Sequence, residues 1–264
     1  MRRAGRVVAE VLDLVEEELR PGVSTAHLDR IAEEHIRKAG GTPSFKGYYG
    51  YPSSLCISID REVVHGIPGD RTIANGQVVS IDAGAIIDGY HGDAARTFIV
   101  GQASPEVREL VATTRRALEA GIAAAITGNR IWDISAAVED VALPHGYGVV
   151  RPYVGHGIGT AMHEDPQVPN YRTKTKGIEL APGICLAIEP MFTLGSADVE
   201  TLVDGWTVVT RDGSVAAHFE DSVAVTEDGP EVLTRLSGRS RRLPEPAKVD
   251  TLRVRVSAPV GTRL

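Results

Sequence analysis

Cysteine is nearly absent: Cys56 and Cys185 are the only two in 264 residues. Both lie in apolar, strand-like runs without C-x-x-C spacing, which excludes a zinc ribbon and a disulfide framework. No apolar run approaches the ~18–20 residues of a membrane span. The N-terminal segment is basic for three residues and then carries acids inside an amphipathic pattern, so it lacks the uninterrupted apolar stretch of a signal peptide. An excess of positive charge is also missing: 28 Lys and Arg face 35 Asp and Glu, a net charge of -7. That balance argues against a dedicated DNA-binding domain. These absences together predict a reduced, cytoplasmic protein with neither DNA nor membrane as partner.

What is there is ordinary globular material. Apolar residues make up 42% and charged residues 24%, close to the average for folded domains. The length fits one large domain or two small ones and buries a sizeable core without help from metal or disulfide. Collagen, coiled coil and a wholly disordered chain are excluded. Charge is uneven along the chain. Residues 235–264 carry eight Lys and Arg against Glu245 and Asp250, which makes that segment +6 and leaves -13 for the rest. The basic end is predicted to be a flexible tail or a short edge strand around Leu252–Val256, and it admits contact with RNA or a ribosome.

Val7, Val8, Val11, Leu12, Val15 and Leu19 recur at helical spacing, predicting a helix over 2–20 stopped by Pro21-Gly22. A second helix follows a cap at Ser24 or Thr25 and ends at Gly40-Gly41. Residues 55–59, 77–87 and 94–100 read as strands, with Asp88-Gly89 as a turn. Ser104-Pro105-Glu106 opens a third helix, and a fourth covers about 131–143. Strand candidates then recur at 183–188, 206–211 and 216–225. This order repeats itself. A shift of 107 lays residues 76–82 on residues 183–189, and His91-Gly92-Asp93 resembles His218-Phe219-Glu220. Each half is expected to be two helices plus an antiparallel β-hairpin, an α+β architecture.

Two carboxylates interrupt apolar strands: Asp82 after Val78–Ile81 and Glu189 after Cys185–Ile188. A buried carboxylate needs a cation or a donor network. If the halves pack about a pseudo-twofold axis, Asp82, Asp93, Glu189 and Glu220 converge, and four acids together require a multivalent cation. His156 sits among glycines in Gly155–Gly159, where backbone approaches a ligand or a neighbouring strand. Four carboxylates and an imidazole suit two divalent ions of Mn, Fe, Co or Zn.

Val64-His65-Gly66-Ile67-Pro68, Ser80-Ile81-Asp82, residues 88–93, 155–159 and 187–191, and His218-Phe219-Glu220 together resemble type I methionine aminopeptidases, from about residue 1 to 235. The resemblance implies the pita-bread (creatinase/aminopeptidase) fold, two pseudo-symmetric halves around a central metal site. It implies that Asp82 holds one ion, that His156 and Glu189 hold the other, and that Asp93 and Glu220 bridge them. Glu189 would also shuttle a proton, and His65 and His163 would contact substrate. Tyr48, Tyr51, Cys56 and Trp206, with Phe45, match the pocket that takes methionine. The implied activity is removal of the initiator methionine from nascent polypeptide N-termini when the second residue is small, by a monomer.

Three features depart from the family pattern. Met162 stands before His163 where a phenylalanine is common, keeping an apolar wall of looser shape. Asp221 follows Glu220 where histidine is common, an added charge expected near the metals. The chain also opens inside its first helix. The rival readings are an Xaa-Pro aminopeptidase or dipeptidase of the same fold, and a non-catalytic pita-bread binding module. The first usually carries a large preceding domain, and the second has lost metal ligands.

Overall fold

In the computed structural model, residues 1–236 are described, so the tail expected over 236–264 lies, apart from Leu236, outside the described residues. Helix α1 (Arg2–Glu18) and helix α2 (Thr25–Lys38) belong to the first half. The α2 cap is Ser24, whose side chain accepts from the His27 N–H. Helix α3 (Pro105–Ala124) begins as its sequence predicts, with the Ser104 side chain accepting from the Val107 N–H. Helix α4 (Ile131–Ala142) follows, its first turn held by Asp133, which accepts from the Arg130 N–H at 2.7 Å.

The first sheet is built on a hairpin. Strand Val78–Ile87 pairs antiparallel with Tyr90–Ile99 along its whole length, and Leu55–Ile59 joins its other edge. Asp88 and Gly89 form the two-residue loop at φ 51° and 78°, both positive, as the primed turns matching strand twist demand. The pairing reaches back to Tyr90, so residues 90–93 are strand rather than the turn their Gly and Asp content indicates. Helices α1 and α2 cover this sheet, burying Val8, Leu12, Leu28 and Ile36 against Ile57, Val79 and Ile81.

The second half repeats the plan with an excursion. Cys185–Ile188 pairs antiparallel with Asp221–Thr226, and Gly155–Gly157 flanks it in a five-stranded sheet. Leu118, Ile122 and Ile134 of α3 and α4 pack on Leu186, Ile188 and Val223. The single strand expected over 216–225 is broken. Ala216–His218 pairs with Met191–Thr193 in another sheet, and Asp221–Thr226 belongs to the five-stranded one. The physical cause is Glu220, whose N–H and C=O are both taken by Ala95 of the first half, at 2.9 and 3.2 Å. The expected strand 206–211 is likewise shorter, Val208–Thr210. Trp206 is held in a turn by the Asp204 carboxylate, which accepts from the N–H groups of Trp206 and Thr207.

Candidate metal centre

The halves meet edge to edge, and the acids sit on the seam. The Ser222 hydroxyl accepts from the Asp93 N–H at 3.0 Å and donates to the Asp93 carbonyl at 2.8 Å. With the Ala95–Glu220 pair, this fixes Asp93 and Glu220 beside each other. Ligand atoms of Asp93, His156 and Glu220, all buried, lie within 4.8 Å of one another. Asp82, on the strand paired with that of Asp93, and Glu189, at the end of Cys185–Ile188, line the same cavity of about 170 Å³. His156 Nε2 lies 3.7 Å from Glu189 Oε1. All five residues expected to hold metal are therefore neighbours.

His156 is aimed by its own backbone. Its Nδ1 donates to the Gly157 carbonyl at 2.9 Å, which leaves Nε2 free to face the acids. The glycines around it serve strand packing: a Cβ on Gly155 would lie 2.3 Å from the Ala187 carbonyl oxygen, and one on Gly157 2.3 Å from that of Asp165. Any side chain there pushes His156 out of register.

The electrostatics describe a cation site. Asp82 Oδ1 and Asp93 Oδ1 are buried without a hydrogen-bond partner. Burial pushes the Asp82 carboxyl up to about 7. Asp93, Glu189 and Glu220 are pushed well above the carboxylate range, first by burial and then by their neighbours' charges. Burial pulls His65 and His156 down to about 4, aided by the nearby His163. Four crowded acids and neutral imidazole nitrogen form the mixed oxygen and nitrogen donor set that first-row divalent ions take. The residues fit such an ion.

An apolar recess adjoins the acids. Phe45, Tyr51, Cys56 and Met162 pack together with Tyr48, Ile67 and Trp206 around them. Cys56 stands directly opposite Asp82 on the neighbouring strand. The Tyr51 hydroxyl is turned inward to the Leu55 and Gly66 carbonyls, so that residue offers its ring, which meets Trp206 edge-on at 5.1 Å. Tyr48 Oη is 2.9 Å from His163 Nδ1. His65 lies at φ 61°, a region costly for a non-glycine residue and characteristic of functional positions. Its ring touches Tyr153 edge-on.

Asp221 adds its charge beside Glu220, whose carboxyl it helps push up, although it does not line the cavity. It is buried and accepts from Thr234 Oγ1 at 2.7 Å and from Arg235 Nη2 at 2.6 Å. Arg235 thereby belongs to the folded body. His218 also lines the cavity, a residue that the sequence places in the repeat and in the family motif without giving it a role. A histidine in the apolar run Ala216–Phe219, two residues before an acid, was the available signal.

Known proteins share this sequence and fold. The model of metallopeptidase family M24 matches residues 1–227. The methionine aminopeptidase of Clostridium acetobutylicum is 51% identical over 235 residues, 89% of this chain and 94% of the relative. The crystal structure of methionine aminopeptidase from Thermotoga maritima superposes with a TM-score of 0.88 at 43% identity, covering 89% of this chain and 95% of that one. The prolidase from Pyrococcus furiosus shares the fold, at a TM-score of 0.72 and 23% identity, with 89% of this chain and 62% of that one covered. The chain belongs to the M24 metallopeptidases, in the family of methionine aminopeptidases.

Proposed function

We propose that this enzyme removes the N-terminal methionine from peptides and nascent polypeptides with a small second residue, using two divalent metal ions. The observation that carries the reading is the buried acid cluster with His156 Nε2, set against a recess of aromatic rings and soft side chains. Asp82, Asp93, His156, Glu189 and Glu220 would hold the ions, drawn from Mn, Fe, Co or Zn. Such ions bring the pKa of a water toward 7 and polarise a carbonyl.

The chain's own residues do the remaining work. Phe45, Tyr48, Tyr51, Cys56 and Trp206 hold the thioether, which aromatic faces and soft sulfur contacts accept well. Glu189, partly open to the cavity where Asp93 and Glu220 are shut in, takes a proton from the attacking water and returns it to the leaving amide nitrogen. His65 and His163 are held below their ordinary pKa by burial. At neutral pH they hydrogen-bond the scissile amide as neutral imidazoles. A free α-amino group is required because the amine would have to reach the metal or the nearby carboxylates.

No helix among the described residues is long and apolar enough to cross a membrane. Work as a cytoplasmic monomer on chains leaving the ribosome, which the tail would contact, completes the proposal. The test is mass spectrometry of metal-supplied protein acting on an equal mixture of Met-Ala-Ser and Ala-Pro-Ser peptides, beside a chelated control. Loss of methionine alone, abolished by chelator, is expected. Cleavage before proline would transfer the enzyme to the rival peptidases, and no cleavage with any of the four metals would leave a binding module.

A further inference from the structure

His218 is a buried imidazole that the proposed chemistry does not use. Its backbone is pinned from the first half. The His218 N–H donates to Thr97 Oγ1 at 2.9 Å, and that hydroxyl donates to the His218 carbonyl at 2.6 Å. Thr97 is in turn held by Ser80 Oγ at 2.8 Å. In register, His218 stands opposite Met191, two residues beyond Glu189. Its ring is thus carried to the Glu189 carboxylate by fixed backbone on both sides.

The ring's Nε2 is buried and has no hydrogen-bond partner. A buried polar nitrogen left so is destabilising unless something meets it. The Glu189 carboxylate faces it, with Oε2 at 3.7 Å. The other oxygen, Oε1, faces His156 Nε2 at the same 3.7 Å. One carboxylate therefore lies between two imidazoles, each addressing a different oxygen. Closing the Oε2 gap to hydrogen-bonding range takes a shift of roughly 0.7 Å.

We propose that His218 is a positioning residue, whose Nε2–H donates to Glu189 Oε2 and so presents Oε1, beside His156, to the metal. The inference rests on the ligand role proposed above for Glu189. Outer groups that orient a metal-binding carboxylate or histidine typically govern metal affinity by 10–100-fold.

The test titrates Co(II) into chelator-stripped protein, reading affinity by calorimetry and ligand environment by the visible absorption bands. His218→Leu and His218→Met, which lack the donor, are expected to weaken binding of one ion by about 10–100-fold and to shift the bands. His218→Gln, which keeps an N–H, is expected to restore affinity to within about 3-fold. In a Glu189→Gln background the loss of His218 should add less than about 2-fold, because the two residues act as a unit. Equal losses in both backgrounds, or no loss, would overturn the inference. So would loss of one whole equivalent of metal in both, which would make His218 a ligand itself. If Glu189→Gln alone leaves affinity at the wild-type value, the ligand role of Glu189 is what fails. A measurement without substitution decides independently of folding: nitrogen-15 NMR of the zinc-loaded protein should find His218 protonated at Nε2. Protonation at Nδ1 would contradict the proposal.

Discussion

Asp93 carries a sharp conflict, because burial and the charges of Asp82 and Glu189 all oppose its ionisation. Without a cation that conflict is a loss of stability, and with one it becomes affinity. Asp93→Asn should therefore cut metal affinity and turnover by more than the ~10²-fold that outer groups cause. The same change should stabilise the chelated protein, on the order of 1–2 kcal/mol, since it relieves repulsion among acids. Paired calorimetry and chelated melts would check both signs. His65 should separate differently. It lies at the cavity wall against Tyr153 and Trp206, and no buried acid sits within ion-pairing distance of it among the described residues. His65→Ala should keep both metals and slow cleavage by about 10²-fold or more. Loss of bound metal in that variant would refute the division of roles.

At the scale of elements, the strand after Glu220 is held by an ion pair between buried Asp221 and partly exposed Arg235. Arg235 closes on Asp221 at 2.6 Å and on Glu119 of α3 at 2.8 Å. Removing one partner of a buried pair leaves an uncompensated charge, at a cost of about 3–5 kcal/mol. Arg235→Ala should reach the lower part of that range, because Arg235 itself is partly exposed, and should loosen Glu220 with it. Denaturant melts and metal affinity measured together would show whether the two losses travel as one. The elements also show what a sequence makes legible. Amphipathic spacing, Ser24, Ser104 and the Asp88-Gly89 turn are local signals, and the structure follows them. The break at Glu220 is not local, because the groups that end the strand belong to Ala95. The short strands Glu62–Val64 and Met191–Thr193 are likewise defined by partners far away in the chain.

In the whole molecule, the seam between the halves is where the acids sit, so metal bound there ties one half to the other. Ligation should stabilise the fold by about 2.7 kcal/mol when free metal is 100 times its Kd. The pH dependence has a definite sign. Asp82 titrates near 7 in the metal-free fold against about 4 in the unfolded chain. Its contribution to metal-free stability is full below about 4 and is lost as pH rises through 7. Metal replaces those protons, so the gap in melting temperature between loaded and chelated protein should widen from pH 5 to pH 8. His156, held down to about 4, stays neutral across that range and sets no limit. The convergence of the acids was legible in the sequence as two halves of one pattern. Which nitrogen faces which oxygen was not, since the Glu189 environment is assembled from His156 and His218, which no spacing connects.

The proposed function requires that this cluster of acids with His156 bind divalent metal and that the bound metal enable methionine removal. The direct measurement is a back-titration of chelator-stripped protein, following bound metal and release of methionine from Met-Ala-Ser together. Cleavage should be absent without metal and should rise as the site fills toward two equivalents. Asp93→Asn should remain inactive throughout. Undiminished cleavage by stripped protein, or two ions bound equally well by Asp93→Asn, would contradict it.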